Sequence, residues 1–111
     1  MRGDKRNCFE ELRIYLKYYE FVEVDFVEMW ELMLCVFVKR KHLDFMHSRT
    51  SNVIALGLAG YFGNKGGLNI QFTLYERTFS FINCHLTHGA NSDQARLDMM
   101  AEILKKVQPK V

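Results

Sequence analysis

The run LNIQFTL, Leu68 to Leu74, sets apolar and polar side chains in strict alternation, and FSFINCHL, Phe79 to Leu86, follows it closely. A period of two suits only a pleated strand with one face buried. The intervening YERT, Tyr75 to Thr78, turns the second run back on the first as a hairpin. Parity places Phe79, Phe81, Asn83 and His85 on one face of the returning strand, and Ser80, Ile82, Cys84 and Leu86 on the other. Directly before the hairpin stands GLAGYFGNKGG, residues 57–67, with five glycines around Lys65. The hairpin therefore carries the Lys65 loop and His85 to one edge of a sheet.

The remaining patterns fill in layers around that ribbon. Leu12, Leu16 and Tyr19 recur at helical spacing in FEELRIYLKYYE, Phe9 to Glu20, which reads as a helix. Phe21, Val22, Val24, Phe26 and Val27 favour a strand. After a turn near Glu28 to Glu31, the continuous apolar run LMLCVFVK, Leu32 to Lys39, reads as a strand covered on both faces. RKHLDFMHSRT reads as irregular or a short helical turn, and SNVIALGLA, Ser51 to Ala59, as a further buried strand. Ser92 is placed to cap a last helix with Asp93 in its first turn. Its expected apolar stripe is Leu97, Met100, Ala101, Leu104 and Val107. Strands followed by a helix that packs on them imply α/β or α+β layers.

Composition narrows the function classes. Apolar residues make up 49% of the 111 positions and charged ones 25%, the balance of one globular domain rather than a disordered chain. A net charge of +2 provides no field for nucleic acid, leaving only a local patch such as Lys39 to His42. That patch reads first as a solvated strand end. Three widely spaced cysteines argue against a disulfide framework or a disulfide-linked partner and for a reducing, cytoplasmic setting. The most apolar window, Phe21 to Val38, holds Glu23, Asp25, Glu28 and Glu31, which excludes a membrane span. The N-terminus lacks the apolar stretch of a secretory signal. The methionines read as core filler.

The candidate chemistry sits around the hairpin edge. The glycine segment is not a P-loop, because Lys65 follows Asn64 and leads into a strand rather than a helix, and it lacks dinucleotide-fingerprint spacing. Taken alone, Gly66 and Gly67 suit a tight turn or bulge. Cys84, His85 and His88 are close in sequence, but parity sends Cys84 and His85 to opposite faces, and no second ligand pair stands at zinc spacing. No metal ligand is assigned within the chain.

Joined together, LMLCVFVKRKH, GYFGNKGGLNIQF, FSFINCHLTHG and QARLDMMAEIL resemble, in order, the segments of the inositol polyphosphate 5-phosphatases, within the endonuclease/exonuclease/phosphatase superfamily. The resemblance runs from about Tyr19 to Leu104 and implies a partial β-sandwich of that type with flanking helices, a single partial domain over 1–111. It implies a Mg²⁺-dependent enzyme that removes the 5-phosphate from phosphoinositide lipids or soluble inositol phosphates, cytoplasmic and peripheral at membranes. His85 matches the histidine at the phosphate pocket, as the catalytic residue. Lys65 takes the place of a cation at the substrate, joined by Asn64, Gly66 and Asn83. Arg96 holds its helix to the sheet, and the glycines admit a phosphate close to the backbone.

The departures are as specific. A metal-binding Glu, a Gly-Asp-Leu-Asn segment and a Ser-Asp-His segment, which the resemblance requires, are missing from these residues. Mg²⁺ ligands and the water-activating carboxylate are therefore expected mostly outside this chain, and the isolated chain is expected to lack turnover. Apolar strand edges should stay uncovered. A nuclease of the same fold and a non-catalytic interaction module are the alternatives.

Overall fold

A computed structural model describes residues 2–57 and 63–107, with side chains from residue 7 onward. The first part of the glycine segment (58–62) and the end that holds Pro109 lie outside them, as do Leu58 and Ala59 of the expected third strand. The elements are α1 (Arg2–Tyr18), β1 (Phe21–Met29), β2 (Leu32–Lys39), a 3-10 helix (Arg40–Phe45), β3 (Met46–Ala55), β4 (Gly66–Leu74), β5 (Arg77–His85) and α2 (Asp93–Val107). β1 and β2 form an antiparallel pair, and β3, β4 and β5 an antiparallel sheet in that order. This is an α/β fold containing part of a β-sandwich with a helix on each outside.

Two apolar layers hold it together. Between the sheets, Val24, Ile70 and Phe72 are buried, with Val27, Leu34, Val36 and Val38 packed around them. Behind the three-stranded sheet, Met99, Ile103 and Val107 of α2 bury themselves with Ile54 and Leu56, against Ile82 and Leu86. On the far side α1 rests on β1: Phe9 meets Phe26 edge-on at 5.0 Å, and Arg13 reaches Glu23 at 2.6 Å. β2, expected to be covered on both faces, is half-buried along nearly its whole length and has no fully buried residue.

The α2 stripe differs from expectation. Leu97, Met100 and Leu104 are exposed, while Met99 and Ile103 are fully buried; Val107 alone of the large expected set is in the core. Apolar residues at 97, 99, 100, 103, 104 and 107 offer two stripes, and Gly67 selects between them. With no Cβ there, the Ile103 side chain reaches the sheet, 3.2 Å from where one would stand. Ser92 does not cap α2 with its hydroxyl, which donates to the His88 carbonyl at 3.1 Å.

β3 starts earlier than expected and is mostly exposed rather than buried, because MHSRT is polar on both faces and is held as a strand by its ladder to β4. α1 likewise begins well before Phe9, and its inward residues are Phe9, Arg13 and Leu16, with Leu12 and Tyr19 exposed. The β4–β5 turn is shorter than expected: Tyr75 and Glu76 alone span it, both at positive φ (51° and 63°), as a type I′ turn demands. Asn69, expected on a polar outer face, is 1% exposed. Its amide donates to Ser80 Oγ (2.8 Å) and the Phe81 carbonyl (3.1 Å) and accepts from Asn52 (3.2 Å), pinning three strands in register. Among the described residues no helix is long and apolar enough to cross a membrane.

Candidate anion site at the head of the ribbon

The β4–β5 ladder pairs Gly66 with His85, so Lys65, one residue before β4, stands beside the imidazole. Lys65 Nζ lies 3.3 Å from His85 Nε2 and 3.3 Å from Asn64 Oδ1. His85 Nδ1 lies 3.0 Å from the Asn64 carbonyl oxygen. A carbonyl only accepts, so Nδ1 carries the hydrogen and Nε2 turns its lone pair to the ammonium. Asn64 thus holds both groups, one through its side chain and one through its backbone. Lys65 is 5% exposed, with its own carbonyl accepting from Leu56 N–H at 3.0 Å.

Gly66 has φ 147°, and a Cβ on it would collide with the Ile54 carbonyl oxygen. The closeness it permits is that of β3 to β4, and Gly67 makes room for Ile103; neither Cβ direction opens toward a ligand. This corrects the expectation that these glycines clear space for phosphate. Asn83, two residues before His85 on the same strand face, donates its amide to the Met33 carbonyl at 2.8 Å and so ties β5 to β2. The structure therefore brings Asn64, Lys65, Gly66 and His85 together, and gives Asn83 a bracing contact across the sandwich. Arg96 donates to the carbonyls of Thr87 (3.4 Å) and Gly89 (3.3 Å) and pairs with Asp93, holding the loop after β5 to its helix.

Trp30, which carried no signal in the sequence beyond a turn position, sits at the tip of the β1–β2 hairpin. Its Cζ2 lies 3.7 Å from where a Cβ on Gly63 would stand, against the loop that supplies Asn64 and Lys65. Two further groups are remote from this site. Arg13 holds its proton more tightly than usual because Glu23 accepts from it. Burial and the Glu23 carboxylate push the Cys35 thiol up to about 12.

The donor set suits an anion. A divalent cation does not fit it: an ammonium stands within the site, and among the described residues no three His, Cys, Asp or Glu cluster as a metal-binding group.

The profile of Endonuclease/Exonuclease/phosphatase family 2 matches residues 5–110. The chain belongs to that family. Among curated relatives of this endonuclease/exonuclease/phosphatase chain, inositol polyphosphate 5-phosphatase K of Mus musculus is 42% identical over 88 residues, 78% of this chain and 19% of the relative. Phosphatidylinositol 4,5-bisphosphate 5-phosphatase A of Rattus norvegicus is 33% identical over 90 residues, 81% of this chain and 9% of the relative. The chain thus spans a fifth or less of these two relatives. In fold it is similar to the solved inositol polyphosphate 5-phosphatase domain of SPsynaptojanin, in complex with inositol (1,4)-bisphosphate and calcium ion. The TM-score is 0.69 at 24% identity, covering 78% of this chain and 25% of that one.

Proposed function

We propose that the chain is part of a 5-phosphatase acting on phosphoinositide lipids or soluble inositol phosphates, with Lys65 and His85 as the pair that meets the phosphoryl group. The observation that carries this reading is the 3.3 Å approach of a buried Lys65 ammonium to His85 Nε2 at one end of the ribbon. Burying an ammonium is costly, and an incoming phosphate offers it the strongest of acceptors. A phosphoryl oxygen takes the place of Nε2 as acceptor for Lys65. Once protonated at Nε2, His85 becomes a second donor to the same group, and such donors stabilise charge developing on the transferred phosphoryl oxygens.

Asn64 acts here by positioning, and Asn83 by holding the His85 strand to β2. Mg²⁺, which the resemblance implies, would take its carboxylate ligands and supply its Lewis acidity from outside these 111 residues. The names of the relatives support the substrate class. A cytoplasmic setting with peripheral membrane contact is proposed with it, on the resemblance alone. The test is Mg²⁺-dependent phosphate release from an inositol 5-phosphate by the chain extended in frame on both sides, beside its His85→Ala variant. A loss of about 10²–10³-fold is expected in the variant; wild-type rates there contradict the assignment. The 111 residues alone should bind the substrate without releasing phosphate.

A further inference from the structure

The end of the molecule remote from Lys65 and His85 carries a second, separate feature. The backbone N–H of Arg40 donates to the Glu20 carbonyl at 2.8 Å, which draws the start of the 3-10 helix against the C-terminal end of α1. Between them lies a cleft of about 240 Å³ whose walls include Phe21 and Phe37 and whose charged rim includes Arg13, Lys17, Glu23 and Arg40. Glu23 is taken by Arg13 at 2.6 Å, and Arg13 also holds Glu10 at 2.6 Å. Among the described residues neither Lys17 nor Arg40 has an ion-pair partner. Lys39 Nζ stands over the Phe21 ring at 5.6 Å, and Lys41 is exposed beside it. Beyond the Glu10 and Glu23 that Arg13 holds, Glu20 and Asp44 are exposed acids nearby, against Lys17, Lys39, Arg40 and Lys41. Outside the lining, on the same end of the molecule, Tyr18 is 82% exposed, its ring 5.3 Å from that of Tyr19, which is 5.0 Å from Tyr15.

We propose that this cleft is a docking site for an acidic protein segment that carries an apolar side chain. Carboxylates of the segment meet Lys17 and Arg40, and the apolar side chain enters against Phe21 and Phe37. Arginine at the edge of a small concave site with an aromatic floor is a residue type that anchors protein partners. An anionic bilayer has the right charge and the wrong place. Phe21 and Met29 are the two ends of β1, roughly 26 Å apart at strand rise. Met29 and Trp30 lie by Gly66 and Gly63, so the Lys65–His85 pair is at the far end. A membrane seated on the cleft would hold that pair well away from its own headgroups, whereas a protein segment leaves it open.

The test is fluorescence anisotropy of a labelled short peptide of alternating glutamate and leucine with the 111-residue chain at low and high salt. Salt-sensitive binding is expected, weakened at least about tenfold by Lys17→Glu with Arg40→Glu. Lys105→Glu with Lys106→Glu makes the same charge change on α2 and should leave binding intact, with circular dichroism checking the fold of both variants. Equal loss in both pairs reduces the effect to net charge and overturns the proposal. So does binding that survives the Lys17 and Arg40 changes, or no binding by the unaltered chain. Sedimentation with phosphatidylserine vesicles that depends on Lys17 and Arg40, without peptide binding, hands the cleft to a bilayer instead.

Discussion

The two ends of the β4–β5 ribbon solve the same backbone problem in opposite ways. At the head, Gly66 takes φ 147° in a place where a Cβ would meet the Ile54 carbonyl, and buried Lys65 beside it is hydrogen-bonded with half-buried Asn64 and His85. At the tail, Tyr75 and Glu76 take positive φ although they are not glycine, and an aromatic clasp holds them. Tyr75 stacks on Phe45 at 4.8 Å, its hydroxyl lies 2.6 Å from His42 Nδ1, and its N–H donates to the Phe45 carbonyl at 3.2 Å. Strain at the tail is tolerated because it is local and solvated. At the head it is removed by sequence, because any displacement there moves Lys65 and His85 together.

Substitutions at the two ends should therefore differ in sign as well as size. Gly66→Ala combines a backbone collision with a forbidden φ, and thermal unfolding should report a loss of roughly 2–4 kcal/mol. A loss under about 0.5 kcal/mol would mean the two strands are not in this close register. Glu76→Gly relieves positive φ and gives up only the exposed pair with His47 at 3.5 Å. It should stabilise by about 0.5–1 kcal/mol in the same measurement. Destabilisation would show that the tail is not a type I′ turn.

The smallest effect concerns neither end and serves as a reference. Alkylation at neutral pH should proceed at exposed Cys8 and Cys84 and lag at Cys35. Reaction needs the thiolate, and the Cys35 thiol is pushed up to about 12. Because the shift is upward, the neutral thiol is the form the fold favours. That contribution is complete below the ordinary value of 9.0 and fades as pH rises toward 12. Mass spectrometry of the alkylated chain checks it; equal rates at all three cysteines would place Cys35 outside the α1–sheet layer.

Much of this was legible from residue order. Alternation at Leu68 to Leu74 and the parity of FSFINCHL gave the faces correctly: Ile82 and Cys84 line a cleft with α2, while Asn83 turns to β2. The meeting of Lys65 with His85 followed from hairpin geometry. What periodicity could not supply was rotation and partnership. The choice between two apolar stripes on α2 depends on which one meets a glycine in the sheet. The burial of Asn69 depends on finding Asn52 and Ser80 across two ladders. Trp30 gave no sign of its place against Gly63, because that contact joins the two sheets at their turns.

The most direct test of the account is an NMR titration of the 111-residue chain with inositol (1,4,5)-trisphosphate, following the His85 ring nitrogens and the Lys65 ammonium. Both sets of signals should move along one saturating curve, and Lys65→Met should abolish the His85 change. Saturating ligand that shifts Lys65 while leaving His85 still, or that shifts neither, would contradict it.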